Sequence, residues 1–412
     1  MRATPALQAR RDSAARKSLY TAPMHRLILL SLVCLSLLPA QDRFERLMRD
    51  ILIVDAHIDT PRYFVDEGYR LADPHPYYEL DIPRMRTGKL GAVFFGIYAQ
   101  PEDYAPAAWL PRALECLEAL HREVAANNRD MEWADSAAAI ERIHKSGKLA
   151  AVASLEGGHL IADNFAVLRL FHKLGVRYMT LAHFQSNSFA DSMTGDALHN
   201  GLSKLGRELV REMNRIGMMV DVSHISDKAV LDAVEESKAP VLASHSSAKA
   251  IAPIVRNMPD EIIQAVARKG GVICINFHAG YLDKAAYDVY IRNRPARERE
   301  IREVPRDDPA RWEKVRRIQR KYADLMPKVS YKALLNHVNH VAKTAGADHV
   351  GLGSDFDGIS GMTPSGMEDV SKYPVLVKGL IEMGYSDGDI RKIMGQNILR
   401  VLRASEEVAK KQ

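Results

Sequence analysis

The stretch Ile51-Leu52-Ile53-Val54-Asp55-Ala56-His57-Ile58-Asp59 decides how the chain is read. A short apolar run ends in a His-x-Asp pair. Side chains alternate faces along a strand, so residues two apart point the same way. On a strand, His57 and Asp59 therefore aim together at whatever lies beyond its C-terminal end. An imidazole and a carboxylate side by side make half of a metal site. His-x-Asp also occurs as an ordinary hydrogen-bonded loop end, so the pair gains meaning only if other strand ends supply the other half.

Working outward, seven further apolar runs recur at 92–98, 149–155, 178–182, 218–222, 241–243, 272–277 and 350–353. With 51–54 they make eight. Helical patterns with legible ends separate several of them. Ser203 caps a helix that stops at Gly217, and Ser226 caps another over 229–236. Pro259 and Asp260 open a third, which ends at Gly270-Gly271. Strands that are apolar throughout, alternating with amphipathic helices, imply a parallel sheet covered on both faces. Eight such units predict an α/β fold of the (β/α)8 TIM-barrel type, with a doubly wound open sheet as the structural alternative. Residues 99–148 hold one or two extra helices. The Arg-, Lys-, Asp- and Glu-rich segment 281–330 reads as a solvated helical insertion after the seventh strand, near the barrel mouth where a lid could sit.

Metal-competent residues cap six of the eight strands: His57 and Asp59, then Glu156, His183, His224, His245 and Asp355. In a barrel these ends converge on the C-terminal face, where catalytic residues belong. Each residue alone could be a loop anchor, and His159, His199 and His278 are read that way. The set is harder to dismiss, because independent accidents would have to place four His and three carboxylates at matching ends. Imidazole and carboxylate without thiolate suit Zn²⁺. Five ligands exceed the needs of one catalytic zinc. Two Zn²⁺ bridged by a carboxylate fit better, and such a pair can acidify a shared water and polarise a carbonyl.

At this point the chain resembles the membrane dipeptidase (renal dipeptidase, peptidase M19) family of amidohydrolase-type barrels. The likeness runs from about Asp55 to Leu402. Its carriers are Asp55-Ala56-His57-Ile58-Asp59, Glu156-Gly157-Gly158-His159, Leu181-Ala182-His183 with Asn187, and the block from Gly201 to Asp221-Val222-Ser223-His224. Ser244-His245-Ser246-Ser247, Arg256-Asn257-Met258-Pro259-Asp260, Gly353-Ser354-Asp355-Phe356-Asp357-Gly358 and Gly395-Gln396-Asn397 complete them. The resemblance implies that His57, Asp59 and Glu156 hold one zinc, and Glu156, His224 and His245 the other. It implies that His183 steadies the carbonyl oxygen as it becomes an oxyanion. Arg256 would pair with the substrate's terminal carboxylate, and Asp355 would move the proton to the leaving amine. The substrates implied are dipeptides with a free C-terminal carboxylate, tolerance extending to a D-residue there and to some β-lactams. A homodimer is compatible with the family. The family's first motif usually reads Asp-Gly-His-Asn-Asp. Ala56 and Ile58 depart from it, and Ile58 removes a polar side chain that would be expected beside the site.

Composition agrees with an ordinary globular protein, at 47% apolar and 26% charged residues. The N-terminus stands apart: Met24-His25-Arg26 precedes an apolar run over 27–38, then Pro39-Ala40-Gln41. This resembles a secretory signal peptide cleaved near Ala40, and the run is short for an uncleaved membrane anchor. A secreted or periplasmic single-domain protein over 41–412 is therefore expected. Residues 1–40 carry six basic residues and one acid, which leaves 51 of each sign beyond them. The net charge of +5 thus gives no case for nucleic acid as partner. Outside the N-terminus no segment is long enough to span a membrane. Cys116 and Cys274 read as two buried free thiols. Two other functions stay open at this point: a barrel hydrolase for another amide, lactam or ester, and a binding protein that keeps the barrel without catalysis.

Overall fold

The computed structural model describes residues 40–101, 103–305 and 307–411; the apolar run 27–38 lies outside them. The described residues form nine strands: β1 (Ile53–Ile58), β2 (Leu90–Ile97), β3 (Met131–Trp133), β4 (Leu149–Glu156), β5 (Val176–Thr180), β6 (Met219–Asp221), β7 (Leu242–Ala243), β8 (Val272–Ile275) and β9 (Val350–Leu352). All pairings between them are parallel. Eight lie in the ring order β1-β2-β4-β5-β6-β7-β8-β9, while β3 pairs only with the start of β4. The ring closes just past β1 and β9. Ile58 bridges Phe356, the Asp59 amide donates to the Phe356 carbonyl (2.9 Å), and the Asp355 amide donates to the His57 carbonyl (2.9 Å). That closure makes the architecture an α/β TIM barrel and removes the open-sheet alternative.

The barrel strands are buried along their length, as strands covered on both faces must be. The main apolar cluster joins Val54, Phe94, Val152, Tyr178, Leu242 and Cys274 of the strands to Ile140 and Ile143 of one helix and Ile398 and Leu402 of another. The expected caps are present. Ser203 Oγ accepts from the Gly206 amide (2.9 Å) at the start of Lys204–Ile216, and Gly217 ends that helix at φ 80°. Ser226 caps Asp227–Glu236, and Pro259 precedes Asp260–Arg268. Cys116 and Cys274 are buried and free. The charged segment forms the helices Lys284–Glu303 and Arg311–Ala323. No helix among the described residues is long and apolar enough to cross a membrane.

Two expectations shift. The run 51–54 overlaps only the first two residues of β1, which continues through Asp55 and His57 to Ile58. Segment 99–148 holds, besides the helices Pro106–Ala126 and Ala137–Lys145, the short strand β3, too brief to show a period.

The first shift has a physical cause. Asp55 stays in the strand because the neighbouring strand end satisfies it. Its Oδ1 accepts from the His57 amide (3.0 Å) and the Ser354 amide (2.9 Å), and its Oδ2 from the Ser354 and Tyr373 hydroxyls. Asp221 repeats the device between β6 and β7. Its Oδ1 accepts from the Ser223 amide (3.1 Å) and the Ser244 amide (2.8 Å), and its Oδ2 from the Ser244 hydroxyl (2.7 Å) and the Thr180 hydroxyl. Each clasp ties a strand end to its neighbour immediately beside a metal-competent residue. Asp55→Asn presents an amide to donors in a fully buried site, and each unsatisfied buried group costs about 1–3 kcal/mol. The variant is expected to unfold about 2 kcal/mol more easily in chemical denaturation. Unchanged stability would show that the clasp does not hold the barrel ends.

Candidate active site

Six of the eight barrel strands deliver side chains to one cluster. The Oε1 atom of Glu156, the last residue of β4, is its centre. Around it stand the Nε2 atoms of His224 (3.1 Å), His245 (3.3 Å), His57 (3.5 Å) and His183 (3.5 Å). His57 Nε2 is also 3.2 Å from Asp59 Oδ1. Asp355 joins from the far side: His57, Asp59 and Asp355 offer three ligand atoms within 4.8 Å of one another, as do His57, Glu156 and His245, and Glu156, His183 and His224. All the expected ligands thus meet, together with His183 and Asp355.

The cluster passes two tests of fit to metal. A tetrahedral zinc with bonds near 2.05 Å sets its ligand atoms about 3.3 Å apart. The contacts between Glu156 and His224, Glu156 and His245, and His57 and Asp59 lie close to that spacing, while His224 Nε2 and His245 Nε2, 2.8 Å apart, stand closer than it. Second, His57 Nε2 and Asp59 Oδ1 are buried without a hydrogen-bond partner, although buried polar atoms are normally satisfied. The outer nitrogens of two ligands, in contrast, are held. Tyr178 Oη lies 2.6 Å from His57 Nδ1, and Ser244 Oγ lies 2.7 Å from His245 Nδ1. Fixing the outer nitrogen turns the inner lone pair toward a cation.

Electrostatics keep three of the four imidazoles neutral. Burial holds His183, His224 and His245 well below the usual histidine range, and the Arg256 guanidinium adds to this. Their imidazoles are neutral and able to ligate. Burial also disfavours charge on His57, but Tyr178, Glu156 and Asp59 outweigh it and raise that pKa well above the usual value. Burial, then repulsion from Asp59 and Glu156, lifts Asp355 well above the carboxylate range despite the Asn276 amide 2.9 Å from its Oδ2. Three carboxylates crowded in a buried site repel one another until a cation relieves them.

The backbone is adapted to this crowding. His224 and Asp355 adopt φ of 67° and 63°, a region most side chains avoid. Gly96 and Gly358 wall in Asp59: a Cβ on Gly96 would lie 2.5 Å from Asp59 Oδ1, and one on Gly358 2.1 Å from Oδ2.

A cavity of about 420 Å³ covers the cluster and includes Asp59, Glu156, His183, His224, Arg256 and Asp355 in its lining. Arg256 sits on the loop after β7, 2% exposed. Its Nη2 donates to the His245 carbonyl (2.9 Å) and lies 3.0 Å from His224 Nε2. The insertion helix Lys284–Glu303 roofs the cavity through Tyr290, Arg294 and Arg297, as its place after the seventh strand predicts. The three histidines read as anchors make local bonds: His159 and His199 bond the carbonyls of Ala99 and Asn187, and His278, which also lines the cavity, accepts from the Gly280 amide. Ile58 is a correction. It is fully buried against the barrel and lines neither this cavity nor the one beside it, so its contribution is to packing.

Sequence reading passed over Tyr178, Ser244 and Asn276, which hold ligands or Asp355, and Tyr98, which lines the cavity. Tyr98 and Asn276 come directly after β2 and β8, the two strands for which no site residue was expected. Inspecting every strand end for phenol and amide groups as well as metal ligands would have found both.

Known proteins resemble this chain in sequence and fold. The chain is 39% identical over 341 residues to the dipeptidase tcpJ of Claviceps purpurea, a match covering 81% of this chain and 71% of that protein. Its structure resembles that of the probable dipeptidase PvdM from Pseudomonas aeruginosa, with a TM-score of 0.78 and 27% identity over 90% of this chain and 99% of that one. It also resembles a metallopeptidase from Rhodobacter sphaeroides, solved with a phosphinate mimic of the dipeptide L-Ala-D-Ala, with a TM-score of 0.70 and 26% identity over 86% of this chain and 99% of that one. The family model for membrane dipeptidases matches residues 41–412. The chain therefore belongs to the membrane dipeptidase family, peptidase family M19.

Proposed function

We propose that this chain is a dinuclear zinc dipeptidase that cleaves dipeptides bearing a free C-terminal carboxylate. The observation that carries the reading is Glu156 Oε1 lying within 3.5 Å of four histidine Nε2 atoms in a cavity that also holds Arg256 and Asp355. His57, Asp59 and Glu156 would hold one zinc, and Glu156, His224 and His245 the other. When bound, the pair supplies a water acidified to a nucleophile and a Lewis acid for the scissile carbonyl.

The chain's own groups supply the rest. Arg256 offers a guanidinium to the terminal carboxylate, and its unpartnered Nε shows donor capacity in reserve. His183 stands against the cluster with its Nδ1 unpartnered, placed to stabilise a developing oxyanion. Asp355 is held by Asn276 and carries a raised pKa, so it can take a proton from the attacking water and return it to the leaving amine. A D-residue at the second position is included in the proposal, supported by the L-Ala-D-Ala mimic bound to the Rhodobacter relative; opening of some β-lactams rests on the family resemblance alone. Export through the segment before residue 41 rests on its sequence.

Two variants separate these roles. Asp355→Asn is expected to lower kcat on a dipeptide such as Ala-Ala by about 10²-fold or more while metal content is kept; full turnover would remove Asp355 from the proton path. Arg256→Ala is expected to raise KM for Ala-Ala about tenfold or more, the scale of a lost charged hydrogen bond, with little discrimination left between Ala-Ala and its C-terminal amide. An unchanged KM would show that the carboxylate lies elsewhere.

A further inference from the structure

Arg62 has no task in that mechanism. It belongs to the helix Pro61–Asp66 directly after β1 and lines both the cavity over the cluster and an adjoining one of about 650 Å³ beneath the insertion helices. Its Nη1 donates to Tyr98 Oη (3.1 Å), and its Nη2 to the Asp357 carbonyl (2.8 Å) and to Tyr63 Oη. Every one of these partners is neutral. Its Nε is buried and has no partner. Three other arginines on the same walls face carboxylates: Arg112 meets Asp66 (2.6 Å), Arg294 meets Glu298 (2.6 Å) and Arg316 meets Glu67 (3.3 Å), while Arg256 and Arg297, like Arg62, keep a buried Nε without a partner. Among the described residues Arg62 has no such ion pair. Asp59 acts on it only through space, and Asp59 is a proposed metal ligand. A half-buried guanidinium held by neutral groups, with its buried Nε in reserve, is built to receive an anion.

Its place in the barrel says which part of a substrate would arrive there. In the eight-strand ring β1 lies opposite β6, and β2 opposite β7. Arg62 comes after β1 and Tyr98 after β2, whereas His224 comes after β6 and Arg256 after β7. A dipeptide held by its terminal carboxylate at Arg256 reaches roughly 7 Å in extended form. It therefore crosses the cluster toward Arg62 with its first residue leading. Tyr98 Oη accepts from Arg62 and keeps its own proton to donate.

We infer that Arg62 and Tyr98 receive the carboxylate side chain of the first residue, so that the preferred substrates begin with glutamate or aspartate. This rests on the dipeptidase reading and adds a substrate class to it. The pair sets specificity and takes no part in bond cleavage.

The test measures kcat/KM for Glu-Ala, its uncharged isostere Gln-Ala, Ala-Ala, and the position controls Ala-Glu and Ala-Gln. The expected Glu-Ala to Gln-Ala ratio is at least tenfold, about 1.4 kcal/mol, with a smaller ratio between Ala-Glu and Ala-Gln. Arg62→Met brings the first ratio near one, Arg62→Lys keeps part of it, and Tyr98→Phe lowers it; thermal melting confirms that each variant is folded. A wild-type ratio near one with Ala-Ala still cleaved overturns this inference and leaves the dipeptidase reading standing. A tenfold ratio that survives in folded Arg62→Met also overturns it. Refusal of all five substrates by metal-loaded enzyme overturns both.

Discussion

The structure depends on one carboxylate oxygen. Glu156 Oε1 faces four imidazole nitrogens, with the Asp59 and Asp355 carboxylates in the same buried space. Imidazoles, three of them held neutral, packed with several carboxylates form no stable apolar core, because lone pairs and like charges repel. The arrangement becomes favourable once divalent cations sit among them. The site is therefore held against its own electrostatics by the surrounding fold, which explains how much of the barrel's polar interior serves only to hold it.

The Asp55 and Asp221 clasps do most of that holding. Each buried carboxylate ties two adjacent strand ends through backbone amides and a serine hydroxyl. Ser354 and Ser244, the partners, immediately precede Asp355 and His245. Fixing these serines fixes the residues after them, so closing the barrel and orienting its ligands are a single set of hydrogen bonds. The left-handed backbone at His224 and Asp355 is the strain this arrangement carries. The roof is made differently. Its helices are rich in exposed ion pairs, of little value for stability, so their role is to shape the cavity.

Much of this was legible in the sequence, for identifiable reasons. Apolar runs alternating with capped helices specify a parallel sheet, and eight of them a barrel. Since barrel strand ends converge, reading the residues at each strand's C-terminal end found His57, Asp59, Glu156, His183, His224, His245 and Asp355 without coordinates. The features that stayed hidden depend on relations between distant positions. Asp55 looks like a polar interruption of a strand until Ser354 and Tyr373 are beside it. Tyr178 reads as core because a phenol in an apolar strand has no periodic signature. Ile58 looked functional from its neighbours in sequence, but strand alternation separates it from His57 and Asp59. Arg62 was silent, since its meaning lies in the absence of a carboxylate partner.

Metal quantification on the purified protein tests the central claim most directly, comparing the wild type with Glu156→Gln and with Asp355→Asn. If Glu156 links two metal positions, the wild type carries two zinc ions per chain, Asp355→Asn keeps both, and Glu156→Gln loses one or both. A wild type that binds one ion or none at saturating zinc, or a Glu156→Gln variant that retains two, would contradict the account.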